Sequence, residues 1–199
     1  MVIESDNTPV PSSCILAPRK TRRSYNISGH ARALTFSCYR RMPLLTAERS
    51  RGWLIDSLAR ARTRMTFELW AYVIMPEHVH LFLRPLSESA EIAPILKAIK
   101  QGVARKATNY LRANHPRWLQ RLAVRRPTGR VEHRFWLQGG GYDRNIVTDK
   151  AARAVIDYIH HNPVHRGLVS SPTDWPWSSA RWFAGTGDAL LEMDAFPWD

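Results

Sequence analysis

A chain of 199 residues is long enough for one domain with a sizeable hydrophobic core. Lysine and arginine outnumber aspartate and glutamate 29 to 17, a net charge of +12, which points to a polyanionic partner and away from an ordinary metabolic enzyme. Cys14 and Cys38 are too few for a disulfide framework or a thiolate zinc site, and neither a signal-peptide core nor an apolar run of about 18 residues occurs, so a cytoplasmic protein away from membranes is expected.

Residues 1–29 mix Pro, Ser, Asn and Arg without apolar periodicity and are read as a flexible basic arm. Residues 31–40 (ARALTFSCYR) alternate Leu34, Phe36 and Cys38 with other residues at the period of a half-buried strand. Thr46 is taken as the cap of a helix in which Trp53, Leu54 and Leu58 recur at helical spacing and whose end is rich in arginine. FELWAYVIM (67–75) and HVHLFLRP (78–85) are aromatic and β-branched and flank a Met-Pro-Glu turn, which predicts a pair of strands. Residues 91–114 place Ile92, Ile95, Leu96, Ile99, Val103, Ala107 and Leu111 every three or four positions, with Lys97, Lys100, Arg105 and Lys106 among them, so a long helix with a basic side is expected.

Beyond it, Arg121, Arg125, Arg126, Arg130 and Arg134 sit beside Phe135, Trp136 and Tyr142, and a triple glycine permits a close backbone approach. Basic side chains mixed with rings suit single-stranded nucleic acid, and these arginines, with Tyr142 and Lys100, are the candidate DNA contacts. A last helix is expected to start at Thr148 or Asp149 and to stop at Pro163. The order strand, helix, strand, strand, helix, strand, helix predicts an α+β fold whose antiparallel sheet is covered by helices. Of the basic residues, 26 of 29 fall within residues 1–150, against 11 of the 17 acidic ones, so an anionic ligand should lie against that part of the chain.

Two histidines within the strand HVHLFL are the main chemical signal. Alternate residues of a strand share a face, so His78 and His80 stand about 7 Å apart on one side and can converge on one divalent cation. A hydrogen-bonded pair on a sheet surface fits the same spacing, and the tripeptide alone leaves both readings open. On the last helix Tyr158 and Asn162 are four residues apart and share one face at the margin of the apolar stripe.

The stretches AYVIMPEHVHLFL, RFWLQGGGYDRNI, DYIHHNPVHRGLV and DWPWSSARWF follow one another between residues 70 and 183. In that combination the chain resembles the REP-associated tyrosine transposases, a branch of the single-tyrosine HUH transposases of bacterial insertion sequences. The resemblance implies a ferredoxin-like, RRM-like sheet with helices on one face, and a C-terminal helix that carries a nucleophilic tyrosine. By family position His78 and His80 bind a metal, Tyr158 attacks, and Asn162 completes the coordination where relatives often place glutamine, retaining an amide oxygen on a shorter arm. It further implies a catalytic domain over residues 30–183 with a tail at 184–199, a nucleoid-associated place in a bacterial cell, and a hairpin-bearing or palindromic single-stranded DNA substrate. A homodimer and a monomer are both compatible with it.

The expected reaction is cleavage and joining of DNA through a covalent 5′-phosphotyrosine. Ionising an ordinary phenol at pH 7 costs about 4 kcal/mol, and a divalent ion on the scissile phosphate contributes several kcal/mol, enough to matter. Magnesium and manganese are the cations expected. Tyr142 is the competing nucleophile, but its loop offers no partner at helical spacing. His160 and His161 adjoin Tyr158 and could relay its proton or replace Asn162, and Glu77 points away from His78 in a regular strand. A second functional class is a non-catalytic module that binds single-stranded DNA or RNA on the same fold. A two-histidine phosphoesterase would need a second H-x-[ST] element, which does not occur.

Overall fold

The computed structural model describes residues 26–89, 91–139 and 141–196. Most of the basic arm and Cys14 lie outside the described residues. Four strands form the main sheet: β1 (Ala31–Ser37), β2 (Phe67–Ile74), β3 (His78–Pro85) and β6 (Tyr142–Ile146), in the order β2-β3-β1-β6 with every pair antiparallel. Helix α1 (Glu48–Arg64) joins β1 to β2 and helix α2 (Ile92–Asn114) follows β3, the connections of a split β-α-β sheet.

Alternation along the strands gives the sheet two apolar faces. Leu34 and Phe36 of β1 with Val79, Leu81 and Leu83 of β3 pack against Leu54 and Leu58 of α1 and Ile95, Ile99 and Val103 of α2. The two helices approach closely at Gly102, where an added Cβ would stand 2.6 Å from the Ser57 hydroxyl. The other face carries small residues, Ala31, Ala33 and Ala71, beside Trp70, Val73 and Phe82. Helix α4 (Asp149–His165) lies on that face through Ala152, Ile156 and Ile159, so it covers the side opposite to α1 and α2. The short side chains leave room for it.

Two local expectations are corrected. Thr46 does not cap α1; its hydroxyl donates to Pro43 O at 2.9 Å and the helix begins after Ala47. Helix α4 does not stop at Pro163 but runs on to His165, because proline this close to the end removes only one ladder bond, and the amides of Arg166 and Leu168 donate to Asn162 O and Pro163 O. Within the arginine-rich stretch, where no element was assigned to these residues, the short helix α3 (Pro116–Leu119) is followed by β4 (Ala123–Arg125) and β5 (Val131–His133), which pair as a separate ribbon. Thr148 does cap α4, accepting from the Ala151 amide.

The sheet's β2 edge is closed by the segment after α4, in which Trp177 O accepts from the Ile74 amide at 2.8 Å and Ser179 exchanges hydrogen bonds with the Tyr72 backbone. A final helical turn, α5 (Ala180–Phe183), follows. Met193 and Phe196 are buried against the core clusters, and Asp194 accepts from the Leu69 amide while pairing with Arg62, so part of the tail is fastened to β2. No described helix is long and apolar enough to cross a membrane.

Candidate active site

His78 and His80 lie on β3, an interior strand, with their rings on the face that α4 covers. The rings meet edge to face, centroids 4.7 Å apart, and their Nε2 atoms are 3.0 Å apart. Each Nδ1 is held from behind. His80 Nδ1 lies 2.8 Å from the Thr35 hydroxyl on the neighbouring strand, which the β1–β3 register sets directly opposite. His78 Nδ1–H donates to Glu77 Oε1 at 3.1 Å, which leaves its Nε2 as the lone-pair atom. Burial pushes the His80 pKa down to about 3, the charge of His78 adding to the effect, and burial also lowers that of His78. Both imidazoles are therefore neutral near pH 7, as metal ligands must be.

Helix α4 and its C-cap set Tyr158, Asn162 and Arg166 at intervals of one turn. The Tyr158 ring stands edge-on to His80, centroids 5.4 Å apart, and Tyr158 is 52% exposed. Arg166, two turns on, makes a 3.0 Å ion pair with the same Glu77 oxygen that holds His78. Asn162 lies midway on the same helix face, 6% exposed, and its buried Oδ1 has no hydrogen-bond partner among the described residues. Two convergent imidazole nitrogens suit a divalent cation, and an amide oxygen is a further donor of the right chemistry. With metal–nitrogen bonds of about 2.1 Å, nitrogens at this separation subtend about 90° at the ion, the angle of adjacent octahedral positions. Among the described residues no group of three or more His, Cys, Asp or Glu side chains could hold a metal.

A cleft of about 770 Å³ opens between α4 and the β1–β6 edge, lined among others by Thr35, His80, Tyr142, Arg144, Lys150 and Tyr158. Tyr142 enters it from the strand paired with Thr35 and is the member of the expected DNA contacts that lines it. Arg121 lies over the Trp118 ring at 4.9 Å. Arg125, Arg126 and Arg130 belong to the β4–β5 ribbon and its turn, where Arg126 pairs with Glu132 at 2.7 Å, and Arg134 follows the ribbon. Lys100 is on α2, across the sheet, with its ammonium 5.5 Å from the centre of the Phe36 ring. Arg144 and Lys150, which sequence reasoning did not single out, are the basic residues of the cleft.

The neighbouring histidines face elsewhere. His160 is buried with Nε2 2.9 Å from the Ser179 hydroxyl, and burial pushes its pKa down to about 4. His161 donates from Nδ1 to Asp157 O at 3.0 Å. The glycine run works within the fold: Gly141, at φ +69°, passes so close to β1 that a Cβ would fall 1.9 Å from Thr35 O. That contact packs the loop against the residue that orients His80. Thr35 and Arg166 were missed in the sequence because their roles come from strand register and from a helix end; Glu77, expected to point away from His78, instead faces it, because it lies in the turn before β3 and not in the regular strand.

No family model matches the chain. A Haemophilus influenzae protein whose name carries the words REP-associated tyrosine transposase is 26% identical over 143 residues, 68% of this chain and 76% of that protein. The REP-associated tyrosine transposase of Escherichia coli K12 is 26% identical over 158 residues, 79% of this chain and 80% of that one. A solved structure of a REP-associated tyrosine transposase bound to a REP hairpin shares the fold, with a TM-score of 0.63 over 92% of this chain and 94% of that one, at 23% identity. In its motifs and over most of its length the chain is thus similar to proteins named REP-associated tyrosine transposases, and it shares the fold of one of them.

Proposed function

We propose that the protein is a metal-dependent endonuclease and strand transferase for single-stranded, hairpin-bearing DNA, with Tyr158 as its nucleophile. The observation that carries this reading is the contact of the Tyr158 ring with His80, at the point where two imidazole nitrogens converge. The solved relative bound to a REP hairpin supports hairpin DNA as the substrate class.

His78 Nε2, His80 Nε2 and Asn162 Oδ1 would hold the divalent cation, manganese or magnesium. When bound, it supplies positive charge to a nonbridging oxygen of the scissile phosphate. The chain's own residues do the rest. Tyr158 attacks the phosphorus through its phenolic oxygen and gives up its proton to water; the Tyr158 Oη–P bond forms as the P–O3′ bond breaks, and the 3′ oxygen leaves with the electron pair and takes a proton. The products are a 5′-phosphotyrosine and a free 3′-hydroxyl, and attack by a 3′-hydroxyl reverses the step. Arg144 and Lys150 hold flanking phosphates in the cleft, and the exposed Tyr142 offers a ring for a base. Glu77 and Thr35 hold the imidazoles in orientation from behind.

The test is incubation of the protein with end-labelled single-stranded hairpin DNA and manganese. A denaturation-resistant protein–DNA adduct that needs metal and disappears in Tyr158→Phe is the expected result. Binding of the same DNA without any adduct would instead identify a non-catalytic binding module.

A further inference from the structure

The outward side of the α1–α2 pair carries two features that the catalytic cleft does not use. Arg60 and Arg64 of α1 with Arg105 and Lys106 of α2 line a groove of about 690 Å³ whose floor includes Gly102. Lys106 is paired with Asp56 at 2.9 Å, and Arg60 donates to the Ser57 hydroxyl, but Arg64 and Arg105 make no ion pair among the described residues. Both are exposed, in a groove that holds no carboxylate. At the opposite ends of the same two helices lies an apolar pocket of about 450 Å³, walled by Trp53, Tyr110 and Trp118. Trp53 meets Tyr110 edge to face at 5.9 Å, the Arg49 guanidinium lies 3.8 Å from the Tyr110 ring centre, and Arg121 covers Trp118. Trp118 is 36% exposed.

We infer that this surface is a second nucleic-acid site, in which Arg60, Arg64 and Arg105 hold a sugar–phosphate backbone and the aromatic pocket takes one unstacked base. The inference rests on the nucleic-acid reading above and names a part of the substrate that the cleft does not hold. Groove and pocket lie along one helix pair, about 17 Å from Trp53 to Arg64 at the helical rise, so one strand can occupy both. A row of exposed guanidinium groups ending in rings matches the repeating charge and flat faces of single-stranded DNA. Packing of α1 and α2 on the Leu34, Phe36 and Leu81 face, with His80 on the other, puts this surface across the sheet from the nick. It therefore takes flanking DNA, away from the bond that breaks.

The test is fluorescence anisotropy of the full-length protein with a labelled DNA hairpin that carries a single-stranded flank, measured over a series of salt concentrations. In the triple variant Arg60→Gln, Arg64→Gln, Arg105→Gln, the slope of log affinity against log salt should shrink by about 2, with a ten- to hundredfold loss near 0.1 M salt, since each single-strand phosphate contact carries about 0.7. Trp118→Ala should lose about five- to hundredfold affinity with the slope unchanged. All three arginines are exposed, so the triple variant should keep the wild-type unfolding transition, and single Arg105→Gln, with a slope change of about 0.7, provides a milder arm. An unchanged slope in the triple variant overturns the groove, and unchanged affinity in Trp118→Ala overturns the pocket. If these losses occur but no Tyr158 adduct ever forms, the catalytic reading fails and this surface stands.

Discussion

Arg166 and Glu77 form a 3.0 Å ion pair that fastens the end of α4 to the residue immediately before His78. The same Glu77 oxygen accepts the Nδ1 proton of His78, so one carboxylate positions both a metal-ligand candidate and the helix that carries Tyr158. Glu77→Gln weakens the pull on that proton and loosens the helix end. Manganese affinity, measured by titration calorimetry, should fall about tenfold or more, as for the loss of other outer-shell partners of metal-binding histidines. Unchanged affinity would remove Glu77 from the site.

Substitution of Asn162 can test metal binding apart from folding. Its Oδ1 is buried without a hydrogen-bond partner among the described residues, so removing it forfeits no bond seen to that oxygen. Asn162→Ala should cost no more than about 2 kcal/mol in denaturant unfolding, yet lower manganese affinity about tenfold or more. Loss of stability with full manganese affinity would make Asn162 a packing residue.

Gly141 is a rigid constraint rather than a hinge. Its left-handed backbone and its closeness to Thr35 O leave no room for a methyl group. Gly141→Ala should destabilise the fold by about 2–4 kcal/mol and displace Thr35 from His80, so both the unfolding midpoint and manganese affinity should drop. Gly139, with open space around its Cβ position, serves as the control: despite its φ of +102°, Gly139→Asn should cost less than Gly141→Ala.

Burial makes the metal-free protein sensitive to acid. His80 and His160 are held near pKa 3 and 4 when folded, below the unfolded value of about 6.5, so between those limits the unfolded chain binds more protons and stability falls as pH falls. Each histidine contributes a slope of about 1.4 kcal/mol per pH unit within its window. Denaturant unfolding at pH 7 and pH 5 should show the loss, and His160→Gln, which keeps a polar partner for Ser179, should make the dependence shallower. A pH-independent stability across that range would contradict the buried neutral state.

The four main strands and three long helices were legible because their signals are local: alternation in HVHLFLRP, three-to-four periodicity from Ile92 to Leu111, and the Thr148 cap. The H-x-H pair and Tyr158, named from the sequence, are brought into contact by the structure. The support around them was not legible. Thr35 meets His80 only through strand register, across 45 positions of sequence, and Arg166 reaches Glu77 only because α4 continues past Pro163. The arginines of the β4–β5 ribbon, expected at the DNA, lie outside the cleft, whose basic residues are Arg144 and Lys150.

Two tyrosines share that cleft, and Tyr158 is the one seen set edge-on to His80. Mass spectrometry of the peptides left after nuclease and protease digestion of the covalent adduct tests the assignment directly. A nucleotide on the peptide that holds Tyr158, with none on Tyr142, is the result expected; a nucleotide on Tyr142, or on no tyrosine at all, would contradict it.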